Sequence, residues 1–366
     1  MSAERVRDVF GRLAVRSLDI ATYFEESGLL LRRAVGFDGF CSMTVDPATM
    51  LLTSHIAHDS VRPEDVPLLG RNEFAEEDVN KFAVLARSPR PSGVLIDATA
   101  GRPDTSLRFE TILQPNGITD ELRVSLLDGA ACWGWIAMYR RGGPPFSVAD
   151  AELVAGVAQP LAQGLRRSIL LSCAATDDGP QAPGLILFAG DGQVEAISPP
   201  AQALLGSLIA TDTAPDGLPA IVYSVAYRAR LAAGDPEQGA RARVPTAMGS
   251  WLTLHGSVVG DPEHGRIAVI LERTRPLELA PVITAAYGLS PRETEVTQQV
   301  LLGKTGVEAA AALHISEYTF QDHLKSIFDK TGVRSRRELV AAIFFQNYVP
   351  RLQSGAQIGA TGWFQQ

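Results

Sequence analysis

A chain of 366 residues is long for one compact domain, so two or three domains of ordinary size are expected. With 46% hydrophobic and 20% charged residues the composition is globular and excludes a disordered chain. A net charge of −8 argues against a general nucleic-acid coat, and no run approaches the ~20 apolar residues that span a bilayer. The start, 1–17, carries arginines but no apolar core of signal-peptide length, so a cytoplasmic protein without membrane contact is expected. Cys41, Cys132 and Cys173 are odd in number and widely spaced, which gives neither a disulfide framework nor a paired-cysteine zinc signature. Cys41 and Cys132 fall in strand-like runs, where packing is the ordinary role of a free thiol and redox or nucleophilic chemistry the rarer one.

The first region, 17–172, opens with a helical pattern over 21–35 that stops at Gly36. Strand-like runs follow at 39–44, 51–56, 93–97, 121–127 and 130–139, the last two joined by Asp128 and Gly129 as a tight hairpin turn. Between them a helix is expected over 76–87, with Val79, Phe82, Ala83 and Ala86 on one face. Ser147, three residues before Asp150, is a capping pair that starts a long helix to about residue 172, which Pro160 should kink rather than end. Trp133 and Trp135 alternate and so share a strand face, where they serve sheet packing or line a ligand pocket. His55 and His58 lack acids or cysteines at ligand spacing, and no metal is expected there. The order helix, antiparallel sheet, helix resembles a GAF domain, on the strength of Trp133, Gly134 and Trp135 leading a terminal strand, then Arg140, Arg141 and the Phe146–Ser147 entry to the last helix.

A polar stretch with glycine and two prolines, 176–183, reads as a linker. In the second region, 184–275, strands are expected at 185–189, 194–197, 241–245, 251–259 and 266–272, with helices at 200–205 and 220–233. Its opening, Leu185 to Phe188, Asp191–Gly192 and Ser198 before an alanine- and leucine-rich turn, resembles the start of a PAS domain.

The third region, 281–350, is short and helical. Between 288 and 351 eight basic residues stand against seven acids, a charge of +1 that leaves −9 for the rest of the chain. Four helix starts carry hydroxyl caps: Ser290 with Glu293, Thr305 with Glu308, Ser316 with Thr319, and Ser335 with Glu338. The first, second and fourth are capping-box pairs. Gly303 and Gly332 mark stops, and the expected helices are about 291–302, 306–312, 317–331 and 336–346. Only His314, Ile315 and Ser316 separate the second helix from the third, the signature of a helix-turn-helix whose second member enters a major groove. Phe320, Leu324, Ile327 and Thr331 recur on a core face; Tyr318, Gln321, Asp322, Lys325 and Asp329 lie opposite. Lys325 suits a guanine or a phosphate, and the helix starts at Thr305 and Ser316 offer backbone amides to phosphates. Periodicity by itself favours a small protein-interaction bundle over a DNA reader.

The sequence is more specific than its periodicity. Leu289, Ser290, Pro291, Arg292, Glu293, Glu295 and Val296, then Gly303, Glu308 to Ala310, Leu313, Ile315 and Ser316, and the run from Thr319 through Gly332 to Val340 resemble the LuxR-type (GerE-like) DNA-binding domain. The resemblance implies base or backbone contacts from Thr319, Gln321, Asp322 and Lys325, phosphate contacts from Lys330 and Arg336, and a dimer contact at the fourth helix. Gln321 stands where the family often has a basic residue. Asp322 either accepts a hydrogen bond from a cytosine amine or faces solvent and lowers non-specific affinity.

The fold class expected is multidomain: a GAF-like α+β domain, a PAS-like α+β domain and an all-α tetrahelical domain, with 351–366 as a mobile tail. The function implied is DNA-binding transcription regulation by a homodimer acting on double-stranded DNA. An unidentified small-molecule effector and RNA polymerase are the further partners, and no cofactor is expected. A ligand-binding signalling protein acting through protein contacts is the alternative. Enzymatic readings are set aside. Gly303, Lys304 and Thr305 resemble the end of a phosphate-binding loop, but Gln298 stands where that loop needs glycine, and no strand precedes it. The acids of a phosphate-accepting receiver are also missing.

Overall fold

The computed structural model describes residues 3–172, 182–211, 213–234, 239–274, 276–340 and 342–343. Cys173, most of the expected linker, the end of the fourth C-terminal helix and the tail 351–366 lie outside them.

The first sheet is built from β1 (Gly39–Val45), β2 (Leu52–His58), β3 (Ser92–Val94), β4 (Asp120–Asp128) and β5 (Ala131–Arg140). All neighbours are antiparallel, in the order β2-β1-β5-β4-β3. These strands read as nearly continuous buried runs, because helices cover both faces. On one face lie α1 (Ala3–Ala14), α2 (Ile20–Val35) and α6 (Val148–Leu171), and on the other α3 (Val66–Ala75) and α4 (Phe82–Leu85). A short α5 (Leu95–Ala98) follows β3. Asp19 caps α2, and Ser147 and Asp150 form the reciprocal capping box of α6. Pro160 lies inside α6 without ending it; its carbonyl and that of Leu161 accept the Tyr23 hydroxyl at 3.4 and 3.0 Å. Gly134 lets α6 approach, since a Cβ there would stand 2.6 Å from both Leu165 and the Met43 carbonyl.

Three expectations need correction here, and one helix was not foreseen. The helix expected over 76–87 is reduced to α4, because Asn80 takes a left-handed turn (φ 54°) and Glu73 accepts the Phe82 amide at 2.9 Å. The strand expected over 93–97 ends at Val94, and Ile96 instead donates to Asp120 at 3.3 Å as α5 begins. Trp133 and Trp135 do not alternate regularly. A β-bulge places Cys132 and Trp133 opposite Leu127, and it is Cys132 that joins Trp135, Ala137 and Tyr139 in one core cluster. Finally, α1 was not anticipated, although its Val6, Phe10 and Leu13 are buried.

The second sheet contains β6 (Gly184–Phe188), β7 (Val194–Ile197), β8 (Ala240–Pro245), β9 (Trp251–Val259) and β10 (Arg266–Arg273), with α7 (Pro199–Leu205) and α8 (Ala220–Leu231) between β7 and β8. Its order, β7-β6-β10-β9-β8, repeats that of the first sheet, counted within each module as 2-1-5-4-3. Ser198 accepts the Leu185 amide at 2.9 Å and caps α7, which ties the helix start to β6. The two modules form one compact unit. His55 in β2 donates its amide to Ile209 and accepts from that of Thr211, both at 3.0 Å, and the Ala57 amide donates to the Thr211 hydroxyl at 2.8 Å. Gly70 of α3 lies against Tyr223 and Tyr227 of α8.

The second unit is helical: α9 (Pro276–Ala286), α10 (Pro291–Leu301), α11 (Gly306–Ala312), α12 (Glu317–Thr331) and α13 (Arg336–Val340). Its core includes Leu279, Ile283, Val296, Val300, Ala309, Ala310, Phe320, Leu324, Ile327 and Leu339. The spans of α11 and α12 are those expected from their caps. α9 was missed because its run is apolar around most of its circumference and holds an internal proline, Pro281.

Candidate nucleic-acid interface

Ser290 and Glu293 close a reciprocal capping box at α10, as do Thr305 and Glu308 at α11. Ser335 accepts the Glu338 amide at 3.1 Å, but Glu338 reaches back one residue further than the box requires, to the Arg334 amide at 2.8 Å. Gly303 (φ 74°) ends the turn after α10, and Gly332 (φ 71°) ends α12 in a left-handed cap whose amide donates to Phe328.

The turn between α11 and α12 is formed by Leu313, His314 and Ile315, with His314 at φ 55°. Arg292 of α10 donates to the Leu313 carbonyl at 2.6 Å and so pins the turn. Ser316 then accepts the Thr319 amide at 3.1 Å, and the hydroxyls of Ser316 and Thr319 lie 2.9 Å apart. Phe320, Leu324 and Ile327 point into the core, while Thr331 is half-buried and donates to the Ile327 carbonyl. Tyr318 (77% exposed), Gln321, Asp322, Lys325 and Asp329 are exposed along the other side of α12.

The remaining candidate residues are tied within the unit. The Thr305 amide donates to Glu308 at 2.8 Å, so an acid already occupies that helix start. Lys330 donates to Glu293 at 2.6 Å, and its side chain is 39% exposed. Arg336 donates to the Lys304 carbonyl at 2.5 Å and stands over the Phe320 ring. Burial drives the Glu293 carboxyl upward, but Lys330, Ser326 and the Ser290 amide outweigh it and hold the group at about 2. The sequence marks Glu293 as a cap and places it with Arg292 in the LuxR-type opening run, but it does not report the Arg292 bond to the turn or the part played by Ser326. The available signal was the spacing of Ser326 and Lys330, four apart on the margin of the core face.

Two short helices at a pinned three-residue turn, with a buried stripe and an exposed polar row on the second, define a helix-turn-helix domain. Residues 288–343 match the family described as bacterial regulatory proteins, luxR family, which makes this segment a LuxR-type domain. Over 88 residues the chain is 35% identical to the transcriptional regulatory protein ComA of Bacillus subtilis (strain 168), a match spanning 24% of this chain and 40% of that relative. Among solved structures, Escherichia coli SdiA aligns at 12% identity over 94% of this chain and 98% of that one, with a TM-score of 0.31. The bacteriophytochrome RpBphP3 from the photosynthetic bacterium R. palustris aligns at 15% identity over 82% and 75% of the two chains, also at 0.31. A Vibrio cholera VqmA–ligand–DNA complex aligns at 16% identity over 46% and 83%, with a TM-score of 0.21. At these scores the structural likenesses carry no functional argument. No helix among the described residues is long and apolar enough to cross a membrane.

Proposed function

We propose that the protein is a DNA-binding transcription regulator in which α12 enters the major groove of double-stranded DNA and the two N-terminal modules control it. The observation that carries this reading is the exposed row on α12, inside a segment that matches the luxR family. Gln321 suits an adenine edge, Lys325 a guanine or phosphate, and Asp322 a cytosine amine. Tyr318 offers an apolar edge to a thymine methyl, and Thr319 and Ser316 contact the backbone. Beyond Glu293, the Lys330 ammonium has two further N–H donors for a phosphate. Arg336 likewise has donors beyond its bond to Lys304.

The module of residues 17–172 is read as GAF-like and that of 184–275 as PAS-like, serving signal sensing or dimerisation. The protein acts as a homodimer on paired half-sites, answers an unidentified small-molecule effector, and meets RNA polymerase at the promoter. A second reading draws on Leu302 and Val307, apolar residues of the helical unit that are 66% and 59% exposed. On that reading the unit docks on another protein.

Selection of duplexes from random-sequence DNA by the full-length protein tests the first reading. An enriched, two-fold-symmetric site is expected, bound more weakly as salt rises. Lys325→Ala should weaken binding and lower the salt slope by about 1 if Lys325 meets a phosphate. Absence of enrichment, with Lys325→Ala indistinguishable from wild type, would favour the protein-docking reading.

A further inference from the structure

Away from the helical unit, a cavity lies between the first sheet and α3, with Ala220 of α8 also in its wall. Its volume is about 50 Å³, room for three or four water-sized groups. Met43, Leu52, Val66, Phe74 and Trp135 make most of the wall apolar, and Trp135 stacks on Phe82 with ring centroids 4.8 Å apart.

Two lining groups differ in kind from the rest. The Cys41 sulfur lies 2.8 Å from His55 Nε2, and the two residues are 2% and 4% exposed. The strand register explains the meeting: His55 of β2 pairs with Met43 of β1, and Cys41 lies two residues before Met43 on the same face. The other ionisable lining groups are Glu73, Arg123 and Tyr139. Glu73 and Arg123 are joined at 2.8 Å, and Arg123 also pairs with Glu121. Cys132 is the contrast within the same module. It too is buried, but it contacts the Gly134 carbonyl, and burial pushes its thiol up to about 11.

We propose that Cys41 is a nucleophile toward small, uncharged electrophiles of the α,β-unsaturated carbonyl class, with His55 as its base. His55 Nε2 takes the thiol proton, and the sulfur attacks the β-carbon of the electrophile. A C–S bond forms as the C=C π pair shifts toward the α-carbon, which then receives the proton from His55 and leaves a saturated carbonyl thioether. No oxidant or reductant enters the step. The apolar wall favours a neutral reagent, and the volume limits it to a handful of heavy atoms. The adduct forms beside the residue whose backbone joins Ile209 and Thr211, so it marks the junction of the two modules. This chemistry goes beyond the regulator reading and does not depend on it.

The test is a time course with acrylamide on the full-length protein at neutral pH, with each alkylated cysteine located by peptide mass mapping. In the folded wild type Cys41, with a base at its sulfur, should react at least about tenfold faster than Cys132, which faces only the Gly134 carbonyl and whose thiol burial pushes up. His55→Gln should slow Cys41 at least about tenfold and leave Cys132 unchanged. Equal rates for Cys41 and Cys132 in the wild type would overturn the proposal. So would a folded His55→Gln protein in which Cys41 reacts as fast as before. Where that substitution prevents folding, the comparison of the two thiols in the wild type decides alone.

Discussion

Asp46 and Arg243 form an ion pair across the two N-terminal modules, with Arg243 Nε 2.8 Å from Asp46 Oδ2 and both side chains almost wholly withdrawn from solvent. Asp46 follows β1 and Arg243 lies in β8, so the pair joins the end of one sheet's strand to the edge strand of the other. Asp46→Ala leaves the guanidinium without this carboxylate and should destabilise the N-terminal unit by about 3–5 kcal/mol in chemical denaturation. Replacing both residues with apolar ones of similar volume should recover most of that loss. A denaturation midpoint unmoved by Asp46→Ala would mean that the pair is dispensable to the junction.

Glu293 gives the helical unit a defined acid response. Its carboxyl is held at about 2 in the folded protein, below its ordinary 4.5. A lowered folded value means that the stabilisation is fully present above 4.5 and is lost as the pH falls toward 2. Glu293→Gln should therefore cost about 1–2 kcal/mol at neutral pH, after allowance for the partly exposed Lys330. The difference between variant and wild type should narrow on acidification. Hydrogen exchange of the α10 and α12 amides measures it locally, and a difference constant with pH would contradict the assignment.

Asp322 separates two accounts of the reading face. If it accepts from a cytosine amine, Asp322→Asn should relax base preference at one position by about 1–3 kcal/mol in binding to the selected duplex and its point variants. If it only faces solvent, the same change should raise affinity for all duplexes alike.

Gly134→Ala should destabilise the first module by about 1–3 kcal/mol, because the added methyl meets a backbone carbonyl that cannot rotate aside. A shifted denaturant midpoint with unchanged slope is the expected result. No shift would show that β1 and β5 separate at little cost there.

The helix-turn-helix was legible because its boundaries are written in local chemistry. Ser290, Thr305, Ser316 and Gly332 act within three or four residues of themselves, and α11 and α12 begin and end where those residues require. The strands of both sheets were also legible from their apolar runs, although strand order was not. The failures came where distant groups override local pattern. Val79, Phe82, Ala83 and Ala86 do fit one helix face, yet the Phe82 amide is taken by Glu73 from an earlier helix. At the candidate interface, the exposed row of α12 followed from periodicity, whereas the inward ties of Lys330 and Arg336 depend on Glu293 and Lys304, more than 30 residues away in each case. Asp46 and Arg243 are 197 residues apart, and no window of sequence reports their meeting.

The bridge from His55 to Ile209 and Thr211 also bears on how the chain is made. An outer strand with unsatisfied amides and carbonyls is a template for pairing with other molecules. The middle of β2 is covered by residues synthesised some 150 positions later, Thr211 standing 154 residues after Ala57. During translation the first module therefore waits, with one strand open, until its neighbour has emerged. A fragment ending at Ser172 would keep that opening permanently and should aggregate through β2 more readily than the longer chain.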